Sequence, residues 1–166
     1  KIVVANAGFT NNGYFQPGTG AVVFAGNNVT SGSFIAGSAS TGFYDLVLNK
    51  TANGIILNRN ISINNLLTFT SGDSLFLNNY NIDLGNTGSL SGESNLKRVT
   101  GRTGGYIQST QVLNASTGVN PGNLGLKITS PVNLGSTVVR RGHMQQVGAS
   151  IYRYYDITPS VNTGLN

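Results

Sequence analysis

The sequence predicts an all-β fold, a parallel β-helix (solenoid) followed by an antiparallel β-sandwich-like module, and three observations carry that expectation. Charged residues make up only 9% of the chain, while 23 residues are Gly and nearly as many are Asn. Short apolar pairs spaced two apart recur between polar runs, the period of a strand with one face on a core. One stretch of chain is followed directly by a second copy of its own pattern.

The first observation limits the classes of fold. A typical soluble domain is about 25% charged, so uncharged polar side chains must solvate this surface. Asn, Ser and Thr compete for backbone hydrogen bonds inside helices and Gly loses too much entropy there; all four suit turns. Many turns with apolar pairs between them mean many short strands. With 39% hydrophobic residues in 166, the chain can still bury a core.

Composition also narrows function. There is no cysteine, hence no disulfide and no thiolate metal or redox site. Ten basic residues against five acidic ones give a formal charge of +5. The basic residues are sparse until Lys97, Arg98 and Arg102, then Arg140, Arg141 and Arg153, and no nucleic-acid-binding motif accompanies them, so no nucleic acid is expected as partner. No run of 18 apolar residues or signal-peptide pattern occurs, and no membrane insertion is expected. Opening on Lys1 without Met, the segment reads as a processed or excised piece.

The repeat defines the first half. Residues 46–63 superpose on residues 67–84 at an offset of 21, with Leu46 on Leu67, Leu48 on Phe69, Ile56 on Leu77, Ile61 on Ile82 and Ile63 on Leu84. Asn58 falls on Asn79 and Asn60 on Asn81. Each copy holds three apolar pairs separated by polar residues, which predicts three short strands and three corners, one coil of a solenoid whose interior is buried only by stacking. Recurring Asn at a corner predicts a ladder of side chains along the stack. An antiparallel meander is the other arrangement this alternation allows. Upstream, Asn12-Gly13 and Pro17-Gly18 mark turns around Val22 to Phe24, giving irregular coils or a cap.

The texture changes after Gly92, which places the solenoid at 1–92 and a sandwich-like module at 93–166. Strands are expected at 105–109, 124–128, 137–140 and 150–157, separated by Asn120-Pro121-Gly122, Ser130-Pro131 and Gly135. After Pro159 another strand is expected to begin, so either the module is incomplete or the natural polypeptide continues.

Asn11-Asn12-Gly13 through Pro17-Gly18-Thr19-Gly20, Val22 to Phe24, Phe43 to Leu46 and Leu67 to Gly72 resemble the repeats of large secreted Bacteroidota surface proteins. Asn120 to Gly125, Leu134 to His143 and Arg153 to Pro159 are similar to a module that follows such repeats. The resemblance covers most of the chain. It implies export by the type IX secretion system, a place at the cell surface or outside it, and roles in adhesion, gliding or matrix building. It also implies a sorting domain, which this sequence does not display, in keeping with a fragment or processed form. In that phylum an Asp-Ser/Thr-apolar triplet can carry an O-glycan; Asp73-Ser74-Leu75 fits it, with Ser74 as acceptor.

Chemistry-bearing patterns are few. Asp45, Asp73, Asp83, Glu93 and Asp156 form no recognisable carboxylate pair in sequence. Asp83, between inward-facing Ile82 and Leu84, is expected to point outward. His143, Ser150 and Asp156 could supply a triad, but no nucleophile-elbow motif is present. The Gly-rich 101–105 stretch lacks the phosphate-loop pattern and reads as a turn. Tyr152, Arg153 and Tyr154 are candidate glycan contacts, since aromatic rings stack on sugars; alternation sets Tyr152 and Tyr154 on one face and Tyr155 on the other. Core packing is the competing use of these tyrosines.

The expectation is a structural or adhesive surface protein rather than an enzyme, with no metal or cofactor. Its partners would be other copies of itself, other segments of a longer surface protein, or glycans. Ile2, Val3 and Val4 are the candidate self-assembly strand, since an apolar strand can complete an open sheet edge on a neighbour. The alternatives are a carbohydrate-binding module, a polysaccharide lyase-like β-helix, and an ice-binding solenoid, for which Thr68 and Thr70 alone do not make a regular array.

Overall fold

The computed structural model describes residues 1–27, 32–72, 74–101, 103–144, 146, 152–164. It is a β-solenoid of about five coils. Its strands are β1 (Ile2–Ala5), β2 (Phe9–Thr10), β3 (Ala21–Gly26), β4 (Ser33–Ala36), β5 (Thr41–Lys50), β6 (Ile55–Leu57), β7 (Ile61–Phe69), β8 (Leu75–Phe76), β9 (Ile82–Asp83), β10 (Ser89–Ser91), β11 (Val99–Thr100), β12 (Tyr106–Asn114), β13 (Asn133–Gly142) and β14 (Tyr154–Pro159).

Register resolves these strands into three parallel faces, matching the three apolar pairs per repeat. The first face stacks residues 41–43 of β5, 61–63 of β7, then β9 and β12. The second stacks β1, β3, residues 45–50 of β5, 66–69 of β7, and β10. The third stacks β2, β4, β6, β8 and β11. β5 and β7 each cross a corner, where the register shifts between Phe43 and Asp45.

Alternation then builds the core as columns. Val22, Leu46, Leu67 and Leu90 are mutual neighbours in register and all buried, as are Ile61, Ile82 and Ile107. Each such side chain contributes about 1.5–3 kcal/mol by leaving water. Phe9, Phe15 and Phe43 meet edge-on or tilted, with ring centres 5.0 to 5.8 Å apart, so the segment between β2 and β3 fills the interior of the first coil.

The offset of 21 holds for Leu46 on Leu67, Leu48 on Phe69 and Ile61 on Ile82. It slips on the third face, where Ile56 pairs with Phe76 rather than Leu77. Counted from the registered pair Leu48 and Phe69, one more residue precedes Ile55 than precedes Leu75, so Ile55 and Leu75 share the inward position while Ile56 and Phe76 lie outside, partly exposed.

Asn at the corners joins coil to coil. Asn78 Nδ2 donates to Asn58 Oδ1 at 3.2 Å and to the Leu57 carbonyl at 3.1 Å. The Asn81 amide donates to Asn60 Oδ1, and the Tyr106 amide to Asn81 Oδ1, at 2.8 and 3.1 Å. The expected ladder therefore exists, but one rung uses Asn78 in place of Asn79, and the others run from side chain to backbone. Gly37, with φ of +118°, makes another corner: a β-carbon there would collide with the backbone of Asn11, and Arg59 Nη1 donates to its carbonyl at 2.6 Å.

Parallel pairing continues beyond the boundary expected at 92, through β11 and the start of β12. From there the expected sandwich takes another form: β13 and β14 add antiparallel to β12, so they extend the solenoid's own first face. Residues 124–128 are not the expected strand; Leu124 follows a short 3-10 turn (Pro121–Asn123), and Ile128 makes a single antiparallel bridge to Val119. Apolar alternation there serves to plug the end of the core, with Leu124 fully buried. Gly122, at φ of +57°, lets the plug lie against Ser109 and Leu84, and Asn123 Nδ2 donates to the Leu90 carbonyl on β10 at 2.7 Å.

Candidate functional site

The two ends of the stack differ. Past the last coil, Arg141 reaches inward from β13 with only 1% of its side chain exposed, donates from Nη1 and Nη2 to Glu93 at 2.8 and 2.7 Å, and gives a further bond from Nη1 to the Leu124 carbonyl at 3.0 Å. Tyr155 Oη donates to the same carbonyl at 2.9 Å, and the Val99 amide donates to Glu93 Oε1 at 2.8 Å. These contacts tie coil, plug and antiparallel strands together.

At the other end, β1 pairs with β3 on one side and is the terminal strand of its sheet. Ile2, Val3 and Val4 are thus found docked in parallel on Val22, Val23 and Phe24, rather than detached; Ile2 and Val3 remain about half exposed while Val4 packs against the core. The opposite terminal strand of that sheet is β14. A groove of about 560 Å³ runs beside it, lined chiefly by Ile128, Val132, Leu134, Ile157 and Pro159.

The outer surface of the first face carries a second grouping. Across β9, β12, β13 and β14 the register aligns Asp83, Gln108, Arg140 and Asp156, and one step along it aligns Tyr106, Gly142 and Tyr154. The intervening Ile107, Val139 and Arg141 point inward and are buried. Arg140 lies over the Tyr106 ring at 4.9 Å, donates from Nε to Gln108 Oε1 at 3.1 Å, and stands 3.7 Å from Asp156.

Of the glycan candidates, Tyr154 belongs to this surface, Tyr155 faces the core as alternation requires, and Tyr152 and Arg153 precede β14 as exposed residues. Tyr106, Gln108 and Arg140 were not legible as partners of Tyr154: their outward phase can be read from alternation, but the register that aligns them crosses up to 48 residues of sequence. Ser74 sits at the corner before β8, partly buried; Asp73 of its triplet lies outside the described residues.

The residues considered for catalysis do not converge. His143 is buried, while Asp156 is on the outer surface; Ser150 lies outside the described residues. Burial first, then Arg141, Arg153 and Arg98, lower the His143 pKa to about 3. Asp83 and Asp156 share a row but are separated by β12 and β13, about 14 Å at three strand spacings, beyond the roughly 5–9.5 Å of glycosidase carboxylate pairs. Asp45 accepts from Asn65 Nδ2 at 2.7 Å as part of a corner. Among the described residues no three of His, Asp and Glu come together as a metal site, and no helix is long and apolar enough to cross a membrane.

No protein-family model, curated protein or solved structure matches the chain.

Proposed function

We propose that the chain is a structural and adhesive module of an extracellular or cell-surface protein, without enzymatic activity, and that copies of it join head to tail. The carrying observation is the asymmetry of the stack: one end is plugged by Leu124 and locked by Arg141 and Glu93, while the other presents the outer edge of β1 with Ile2 and Val3 half exposed. An edge strand of this kind offers a row of backbone donors and acceptors to another chain. Its complement is β14, the opposite terminal strand, whose Ile157 and Pro159 line the apolar groove. Joining β1 of one copy to β14 of the next uses two different surfaces, so the contact is heterologous and repeats without closing. Location rests on the resemblance of the Asn- and Gly-rich repeats to secreted surface proteins, and on a surface kept wet by neutral polar groups.

Sedimentation velocity over a concentration series tests the reading. The native chain should associate progressively, and Val3→Lys or Ile157→Lys should each return it to a monomer with its circular dichroism unchanged. A native chain that stays monomeric at about 100 μM, far above the micromolar affinity of even modest interfaces, would sink it.

A further inference from the structure

We infer that the outer surface of β12, β13 and β14 is a binding platform for neutral polysaccharide chains, built from Tyr106, Tyr154, Gln108, Arg140 and Asp156. The arrangement of these five side chains carries the inference, and it stands independently of head-to-tail assembly.

The sheet provides a flat, rigid base. Tyr106 and Tyr154 flank Gly142 in register, their backbones two strand spacings or about 10 Å apart, and the Tyr154 ring lies over Gly142 in the space between them. Gly142 is the residue that permits this: a β-carbon there would collide with the Tyr154 ring, so glycine lets the ring lie across the strand. Covering a sheet glycine with an aromatic ring is by itself a stabilising device. That device does not account for Tyr106 on the far side of the same glycine, nor for the polar row alongside.

That row supplies directional hydrogen bonding. Gln108 offers an amide, Asp156 a carboxylate acceptor and Arg140 guanidinium donors, with Asp83 continuing the row on β9. Arg140 and Asp156 are 41% and 52% exposed at 3.7 Å, a loose pair in water that can exchange partners for sugar hydroxyls at little cost. Arg140 also packs on one face of the Tyr106 ring, holding it in place. One positive charge among two carboxylates leaves no excess of cations to select an acidic polymer, so the fitting ligand is uncharged: pyranose C–H faces for the rings, hydroxyl pairs for the row.

Affinity electrophoresis of the full chain, in native gels containing hydroxyethylcellulose, laminarin, xylan or mannan, with polygalacturonate as the acidic control, tests this. At least one neutral polymer should retard the native chain. Tyr154→Ala and Tyr106→Ala should each weaken the retardation about tenfold, Tyr154→Phe should keep it, and Thr110→Ala, on the same strand but outside the platform, should not change it. Should Tyr154→Ala lose its cooperative melt, Asp156→Ala gives the same reading without uncovering Gly142. Retardation by polygalacturonate alone, no retardation by any polymer, or retardation undiminished in folded Tyr106→Ala and Tyr154→Ala would each overturn the inference.

Discussion

The guanidinium of Arg141 and the carboxylate of Glu93, 48 residues apart in sequence, meet through two parallel hydrogen bonds of 2.8 and 2.7 Å inside the end of the solenoid. Removing one member leaves the other charged and poorly solvated, which typically costs about 3–5 kcal/mol. Glu93→Gln and Arg141→Met should each lower the denaturant midpoint by that order. The double variant should be less destabilised than the sum, because neither orphan then remains. Additive losses in a double-mutant cycle would mean that the two residues act separately.

His143 gives the same region a pH response. Its folded-state pKa lies near 3 against an ordinary value of 6.5, lowered first by burial and then by Arg141, Arg153 and Arg98. Between those values the unfolded chain binds a proton that the folded chain does not, so stability rises with pH across that window and falls as pH drops through it. The contribution lost on acidification to about pH 3 is on the order of 4 kcal/mol. His143→Gln should flatten that part of the profile relative to the native chain; an unchanged slope in chemical denaturation between pH 6.5 and 4 would contradict the assignment.

The corner before β6 yields a sharper test of register. Leu77 is fully buried and Ile56 is 37% exposed, so Leu77→Ala should cost about 2–5 kcal/mol, whereas Ile56→Ala should stay within about 1 kcal/mol. Equal losses would restore the pairing of Ile56 with Leu77 that the constant offset suggested.

Lys50 ends the inward column of β5 with only 2% exposure, and its Nζ has no hydrogen-bond partner among the described residues. Replacing it with Met keeps the length of the side chain and removes an unsatisfied polar group. Lys50→Met should therefore raise the unfolding free energy by about 1–3 kcal/mol. A loss of stability in thermal melts would show that the ammonium group is serving a contact of its own.

These residues also mark how far the sequence reaches. Columns such as Leu46 on Leu67 were legible because a solenoid brings together residues one period apart, and period is a sequence property. The slip at Ile56 was not, since one extra corner residue changes the phase without changing the apolar pattern. Lys50 reads as the start of a polar turn, yet strand phase carries it inward. Beyond Gly92 the apolar spacing that marks a coil is interrupted by long corners, and only hydrogen-bond pairing reveals that β11 and the start of β12 continue the stack. The platform around Tyr154 depends on antiparallel register between β12, β13 and β14, and Leu124 lies in an apolar alternation that fits a strand as well as a plug.

Negative-stain microscopy of the native chain, paired with its intact mass, tests the central claim most directly. Head-to-tail joining predicts thin fibres with a repeat of one solenoid, about five coils at roughly 4.8 Å each plus the added cap, and Val3→Lys should abolish them. Dispersed single particles of the native chain at the concentrations where fibres are expected would contradict it.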